Sequence, residues 1–580
     1  MSRRISIAVA LSALLVSTAT AAVAGRGGAL QTTEVTNAQL MPGVGYQREV
    51  DFTPRGPVVL DIVTAPRPDG SLYTLAPVLG RERIPGAEPL TAIESRLSSG
   101  ATVVGVAGDF FNGKTGVAAG GLQRGGTLDK PPVANRSSLG IAGDGTLSVA
   151  RVAYKGTWQG SGQRRSLDLN LAPVKGHATL YTPAYGAATP SESGVVEAVF
   201  SSFPPTRADG PLTATVTQVV KTGKTPIPPG GAVLVGRGLQ AEDLTTEAPV
   251  GQSVEVRLTL TPNWSGLRSI MGGGPVLVSA GKAVFNAKEN FAASVVNNRS
   301  ARSAVGQLPD GRILLVSVEA GGPAYSIGMT SYELAVAMAR LGAVTAIGLG
   351  SGAASGMAFD GRLLTKPSGA AEQPVADALV LSYAGVYAAP LSTAILSPNN
   401  DGVGDTESFA YKLVRPSHVV ATVAGPGGVS RTLVDADQQP GVQTLTWDGT
   451  NADGTLAPEG AWRFTVTATD DLGRTTSAVR DFSLDDTLAG LSVVHAPGSA
   501  SLTASYTLTR PATVVVTVER RNGIAVATLA SGSFAAGPQS VSWNLRGANG
   551  KPIPSNGYQV HVVATSAVGV SDLTAPFALP

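Results

Sequence analysis

Acids, arginines and glycines crowd together in four stretches of this chain. They are AGDFFNGKTG (107–116), IMGGGPVLVSAGK (270–282), NNRSARSAVGQLPDGRILLVSVEAGG (297–322), and the segment from Gly328 that ends in the loop AIGLGSGAASGMAFDG (346–361). Histidine is scarce by contrast: His177, His418, His495 and His561 are the only four, and His177 alone lies in the first 400 residues, where it reads as a packed or surface residue. Histidine-centred nucleophilic catalysis and a multi-histidine metal site are therefore disfavoured. What remains is carboxylates, guanidinium groups and backbone amides, a set suited to holding an anion and moving a proton.

Helix and strand signals place these groups. Thr330-Ser331-Tyr332-Glu333 is a capping box, Leu334, Met338 and Leu341 recur at helical spacing, and Gly342 supplies a stop. The apolar run VTAIGL (344–349) reads as a buried strand leading into the glycine loop, and PVVLDIVTA (57–65) and TVVGVAGDFFN (102–112) read as strands earlier in the chain. A helix that delivers a strand into a glycine turn puts that turn at a sheet end, where ligand sites form in mixed folds.

Taken together, in order and spacing, the four stretches resemble the phosphodiester glycosidase family, whose members include the lysosomal enzyme that uncovers mannose 6-phosphate by removing N-acetylglucosamine. GMTSYELAVAMARLGAV (328–344) and the GGGP segment are the most specific parts. The resemblance implies hydrolysis of a sugar joined through phosphate. It implies a phosphate-gripping role for Arg302, with Ser303 beside it, and close backbone approach at Gly272, Gly273 and Gly274. Proton handling falls to Asp109 or Glu319, and Asp109 fits a turn-holding role equally well. Gly350, Ser351, Gly352 and Ser355 are the loop positions expected to meet substrate.

This chain also departs from the family pattern. Ala107 stands where asparagine is expected, Glu319-Ala320-Gly321 replaces an aspartate–glycine–arginine run, and Gly350 and Ala354 replace an aspartate and a serine. The loop thus reads as a ligand-shaped remnant. Two functions follow: an exported hydrolase of phosphodiester-linked sugars with a partly degraded motif, or a noncatalytic relative that binds a phosphoglycan or wall polymer.

The rest of the sequence bounds these readings. Arg3-Arg4, the apolar run Ile5–Val16 and Ala22-Val23-Ala24 read as a signal peptide over 1–24, implying a secreted or cell-wall-associated protein. No later run is long and apolar enough for a membrane span, and a net charge of +2 gives no field to gather nucleic acid. With no cysteine, the exported chain relies on large cores rather than disulfides. Its 71 glycines, 39 prolines and 5% aromatics favour short strands and tight turns.

A repeat closes the chain. Arg415-Pro416 returns as Arg510-Pro511, and Trp447 and Trp462 return as Trp543 and Tyr558, at offsets of 95 and 96 residues. Ser397-Pro398-Asn399-Asn400-Asp401-Gly402 and Trp447-Asp448-Gly449 resemble the immunoglobulin-like domain of the flagellar hook-capping protein family. Asp401, Asp405 and Glu407 raise the question of calcium, but they fall short of a full coordination loop and favour a polar turn. The expected fold class is a β-rich α+β glycosidase-like domain over 25–390, with a β-rich lobe at about 150–265. Two all-β immunoglobulin-like sandwiches follow at 391–487 and 488–580.

Overall fold

The computed structural model describes residues 17–22 and 32–578, apart from 286, 400, 401, 403, 496–500, 521–522, 548–549 and 555–556. Of the expected signal peptide, Ser17–Ala22 is described, as a strand paired with Thr32–Met41; the remainder lies outside the described residues. The chain divides into two units, Leu15–Ala384 and a second that contains Gly385–Pro580.

In the first unit, Val44–Thr53, Gly56–Ala65, Ile313–Val318, Arg302–Gln307, Thr345–Ser351 and Val276–Ser279 are successive antiparallel neighbours in a nine-stranded sheet. The helix Ser331–Arg340 forms as its capping box dictates, with Thr330 and Glu333 capping each other. Its Leu334, Ala335 and Met338 pack on Leu60, Ala304, Val316 and Val318. Each fully buried leucine or methionine contributes roughly 1.5–3 kcal/mol, so packing holds a helix too short to persist alone.

Register then sorts the polar residues between the sheet's two faces. Side chains alternate along a strand. Arg302 pairs with Val318 and therefore lies on the helix face; Asp61 pairs with Ser317 and lies, with Ser303 and Glu319, on the other. That other face meets a five-stranded antiparallel sheet centred on Thr102–Ala107 and Asp377–Tyr383. An eight-stranded sheet spanning residues 153–261 builds a lobe around Trp158, Phe200 and Leu234.

The second unit holds two β-sandwiches whose strand pairings repeat. Ser417–Ala424 pairs with Gly460–Asp470 as Ala512–Arg520 pairs with Gly557–Thr565. Trp447 donates its indole N–H to the Thr450 carbonyl, and Trp543 donates to that of Arg546, both at 2.8 Å. Trp447 packs on Trp462 at 4.6 Å between ring centres; Tyr558 stands in the matching place of the second copy and stacks on Phe577.

Candidate functional site

Asp109 follows the strand Thr102–Ala107 and is fully buried. Its Oδ1 accepts the Phe110 N–H at 2.8 Å and the Arg136 guanidinium at 3.0 Å, and its Oδ2 accepts the Gly120 N–H. Arg136 also donates to the Gly273 carbonyl at 2.9 Å and lies over the rings of Phe110 and Phe291. Asp377 accepts the Asp109 N–H at 2.8 Å, while Lys130 donates to the Gly120 carbonyl at 2.6 Å. Burial raises the Asp109 pKa, raises Asp377 to about 7 with the Asp109 charge assisting, and lowers Lys130 to about 8. A Cβ at position 272 would overlap Asp109 Oδ2 and Gly120 Cα, so close approach demands glycine there. Asp109 is held as a clasp between turns.

A second acid cluster lies on the same sheet face as Ser303. Arg48 donates to Asp61 at 3.0 Å and to Glu319 at 3.1 Å, bridging the two carboxylates. Tyr46 donates to Asp61 at 2.6 Å, and Tyr325 donates to Glu319, which also accepts the Lys366 N–H at 2.9 Å. Burial, then the Glu319 charge, pushes Asp61 up to about 8 against the opposing pull of Arg48. The Arg48 side chain is 27% exposed, which connects this network to solvent.

Arg302 directs its donors onto the backbone. Nε donates to the Met329 carbonyl at 2.5 Å, and Nη2 donates to the carbonyls of Val295 and Asn298 at 2.7 and 2.8 Å. Burial lowers its pKa to about 10. Those carbonyls flank Val296, Asn297 and Thr330, which line a cavity of about 590 Å³ together with Pro275, Phe291 and Tyr332. The arginine motif, the GGGP segment and the capping-box motif therefore meet at one hollow.

The glycine loop is closed more tightly. Gly350 donates to the Gly108 carbonyl at 2.5 Å, Gly352 to that of Ala301 at 2.9 Å, and the Ser355 hydroxyl to that of Gly350 at 3.3 Å. Ser351 pairs with Arg302 across the sheet. A cavity lined by Ala353, Ala354 and Ser355 measures about 10 Å³, the room of a single water. The structure thus brings Asp109 together with Gly272, Gly273 and Gly350. It places the Arg302 guanidinium on the helix face and Glu319 on the opposite one.

The profile of the phosphodiester glycosidase family matches residues 209–382, and that of the FlgD Ig-like domain matches 398–471 and 491–567. The chain carries a phosphodiester glycosidase domain followed by two FlgD Ig-like domains. Among solved structures, a hypothetical protein from Synechocystis shares the fold, with a TM-score of 0.51 and 23% identity over 63% of this chain and 68% of that one. The catalytic domain of zebrafish N-acetylglucosamine-1-phosphodiester alpha-N-acetylglucosaminidase aligns with a TM-score of 0.31 and 14% identity, covering 63% of this chain and 87% of that one. The basal-body rod modification protein FlgD of Salmonella typhimurium is 40% identical over 68 residues, 11% of this chain. The match spans only 29% of that relative's length.

Within the glycosidase domain, Arg136, Asp377, Lys130, Arg48, Asp61 and Tyr325 escape the sequence reading because strand register and loop packing bring them to their partners. Arg136 had one signal: Asn135-Arg136-Ser137-Ser138 echoes Asn298-Arg299-Ser300-Ala301 of the arginine motif. Ser303 is buried, and its hydroxyl has no partner among the described residues. In the first FlgD Ig-like domain, Asp401 lies outside the described residues, and Asp405 accepts the Gly402 N–H at 2.8 Å. Glu407 is buried, with its pKa raised to about 7 by burial. Among the described residues, no group of three or more His, Cys, Asp or Glu side chains is arranged to hold a metal.

Proposed function

We propose that this chain is an exported protein that recognises phosphodiester-linked sugars of envelope or extracellular glycans, with its hydrolytic machinery reduced. One observation carries the reading. Residues from three separated motifs wall a single cavity of about 590 Å³, while Asp109 and Glu319 are each engaged by the protein's own donors. Positions 107, 350 and 354 carry alanine or glycine and offer no polar side chain.

Hydrolysis would add water across the glycosidic C–O bond, releasing a free sugar and a phosphate monoester, and a carboxyl group would have to manage the proton. Losing one such group costs about 10²–10⁴-fold, and more where several act as a unit. Glu319 favours a second reading, retained slow hydrolysis, because its network reaches solvent through Arg48 and contains the raised carboxyl of Asp61. The signal-like N-terminus supports export, and the paired sandwiches suit spacer and docking roles outside the cell.

Turnover of an aryl or sugar phosphodiester by the native chain and by an Ala107→Asn/Gly350→Asp/Ala354→Ser variant separates the readings. Activity only after restoration supports recognition. Native activity abolished by Glu319→Gln supports the hydrolase. A Cβ at 350 would lie 3.0 Å from the Gly108 carbonyl, so the variant lacking the change at 350 belongs in the same assay.

A further inference from the structure

An edge strand carries a row of unpaired amides and carbonyls that another strand can join, and folded proteins discourage that with charges, prolines, irregular register or short length. The two sandwiches of the second unit contain four sheets and therefore eight edge strands among the described residues. Seven are guarded. Tyr387–Ala388 and Ile395–Leu396 are two residues long, and Ser430–Gln438 carries Arg431, Asp435 and Asp437. Leu488–Val494 and Ala525–Phe534 are interrupted by register shifts, Gly537–Trp543 holds Pro538, and Val570–Ala578 holds Asp572 and Pro576. The eighth, Gly441–Trp447, has none of these features: its seven residues, GVQTLTW, are uncharged and pair with Glu407–Leu413 without a shift.

The repeat supplies a control. Val442 and Pro538 hold the same place, 96 residues apart, each between a glycine and a glutamine. Proline has no N–H, so it suits an edge strand where that group would face away from the sheet. By the same register, Val442, Thr444 and Thr446 turn their N–H and C=O groups outward. All three residues are exposed, Val442 by 69%. A second copy of the strand fits this edge. Antiparallel pairing about a two-fold axis at Thr444 sets Val442 against Thr446 of the copy, Gln443 against Leu445 and Asp448 against Pro440. β-Branched residues then meet across the seam, Val442 is covered, and no like charges stand opposite each other.

We infer that two copies of this chain associate through Gly441–Trp447, each strand extending the other's three-stranded sheet across a two-fold axis at Thr444. Sedimentation of the full chain from micromolar to hundreds of micromolar tests it, and the mass rises toward that of a dimer. Val442→Pro, which copies the second sandwich, weakens association about ten-fold; Pro538 shows that the fold accepts proline at this place, and thermal unfolding verifies it. Thr444→Lys and Thr444→Glu each set like charges across the axis and weaken association by a similar factor, and mixing the two variants restores the dimer. The chain has no cysteine, so Thr444→Cys reports the axis directly. Its two Cα atoms would stand about 5.5 Å apart, within disulfide range, and mild oxidation links the copies, whereas Ser540→Cys at the matching place of the second sandwich stays unlinked.

A chain that stays monomeric throughout overturns the inference and leaves this edge to a strand of another protein. A dimer that withstands Val442→Pro overturns it as well, by moving the contact to a different surface. Lysine and glutamate variants that fail to recover on mixing, or an oxidised Thr444→Cys chain that remains unlinked, do the same.

Discussion

Around Asp109, a buried carboxylate meets an arginine, a lysine and a second carboxylate; around Glu319, a buried carboxylate meets an arginine, two tyrosines and a second carboxylate. The ingredients are alike, but the surroundings differ. The amides of Phe110 and Gly120 and the glycines at 120 and 272 press on Asp109, and its side chain has no exposure. Phenolic hydroxyls and a partly exposed guanidinium surround the other pair. An acid wrapped in main chain serves architecture, whereas one wrapped in side chains that reach solvent can exchange a proton. Burial alone does not separate those roles.

The largest expected effect breaks the clasp. Asp109→Ala leaves Arg136 without its buried partner and should cost about 3–5 kcal/mol, read from the urea midpoint of the glycosidase-domain transition. Gly272→Ala attacks the same cluster by volume, forcing a methyl group onto Asp109 and Gly120, and should cost about 1–3 kcal/mol in the same measurement.

The Glu319 cluster should answer through pH. Asp61 is held near 8 when folded, above its unfolded value of about 4, so its contribution is complete below pH 4 and is lost as pH rises toward 8. Glu319→Gln removes one cause of that rise. The total decline should then be smaller and end at lower pH in urea unfolding series between pH 4 and 8, and an unchanged end point would place Asp61 outside the network's control. Ser303→Ala removes a buried hydroxyl that has no partner among the described residues, and should be neutral or slightly stabilising, within about 0.5 kcal/mol.

Features written in local spacing were legible before any coordinates. The capping box at Thr330–Glu333, the strand at 57–65 and the tryptophan-marked repeat each follow from a period or a cap that a few neighbouring residues settle. The site was legible only in outline. Its motifs named Arg302 and the glycines, but not the face each would occupy. That choice depends on the pairing of Arg302 with Val318 and of Asp61 with Ser317, and a register is set by the whole sheet. Arg136 and Arg48 share that limitation, since their partners are distant in sequence.

Arg302 fastens the carbonyls of Val295, Asn298 and Met329 into one wall. Selection for a properly folded product would preserve such a residue even in a lineage that had given up turnover altogether. Survival of this signature in a genome therefore testifies to inherited architecture, and a search that equates it with enzymatic competence will count retired catalysts among working ones.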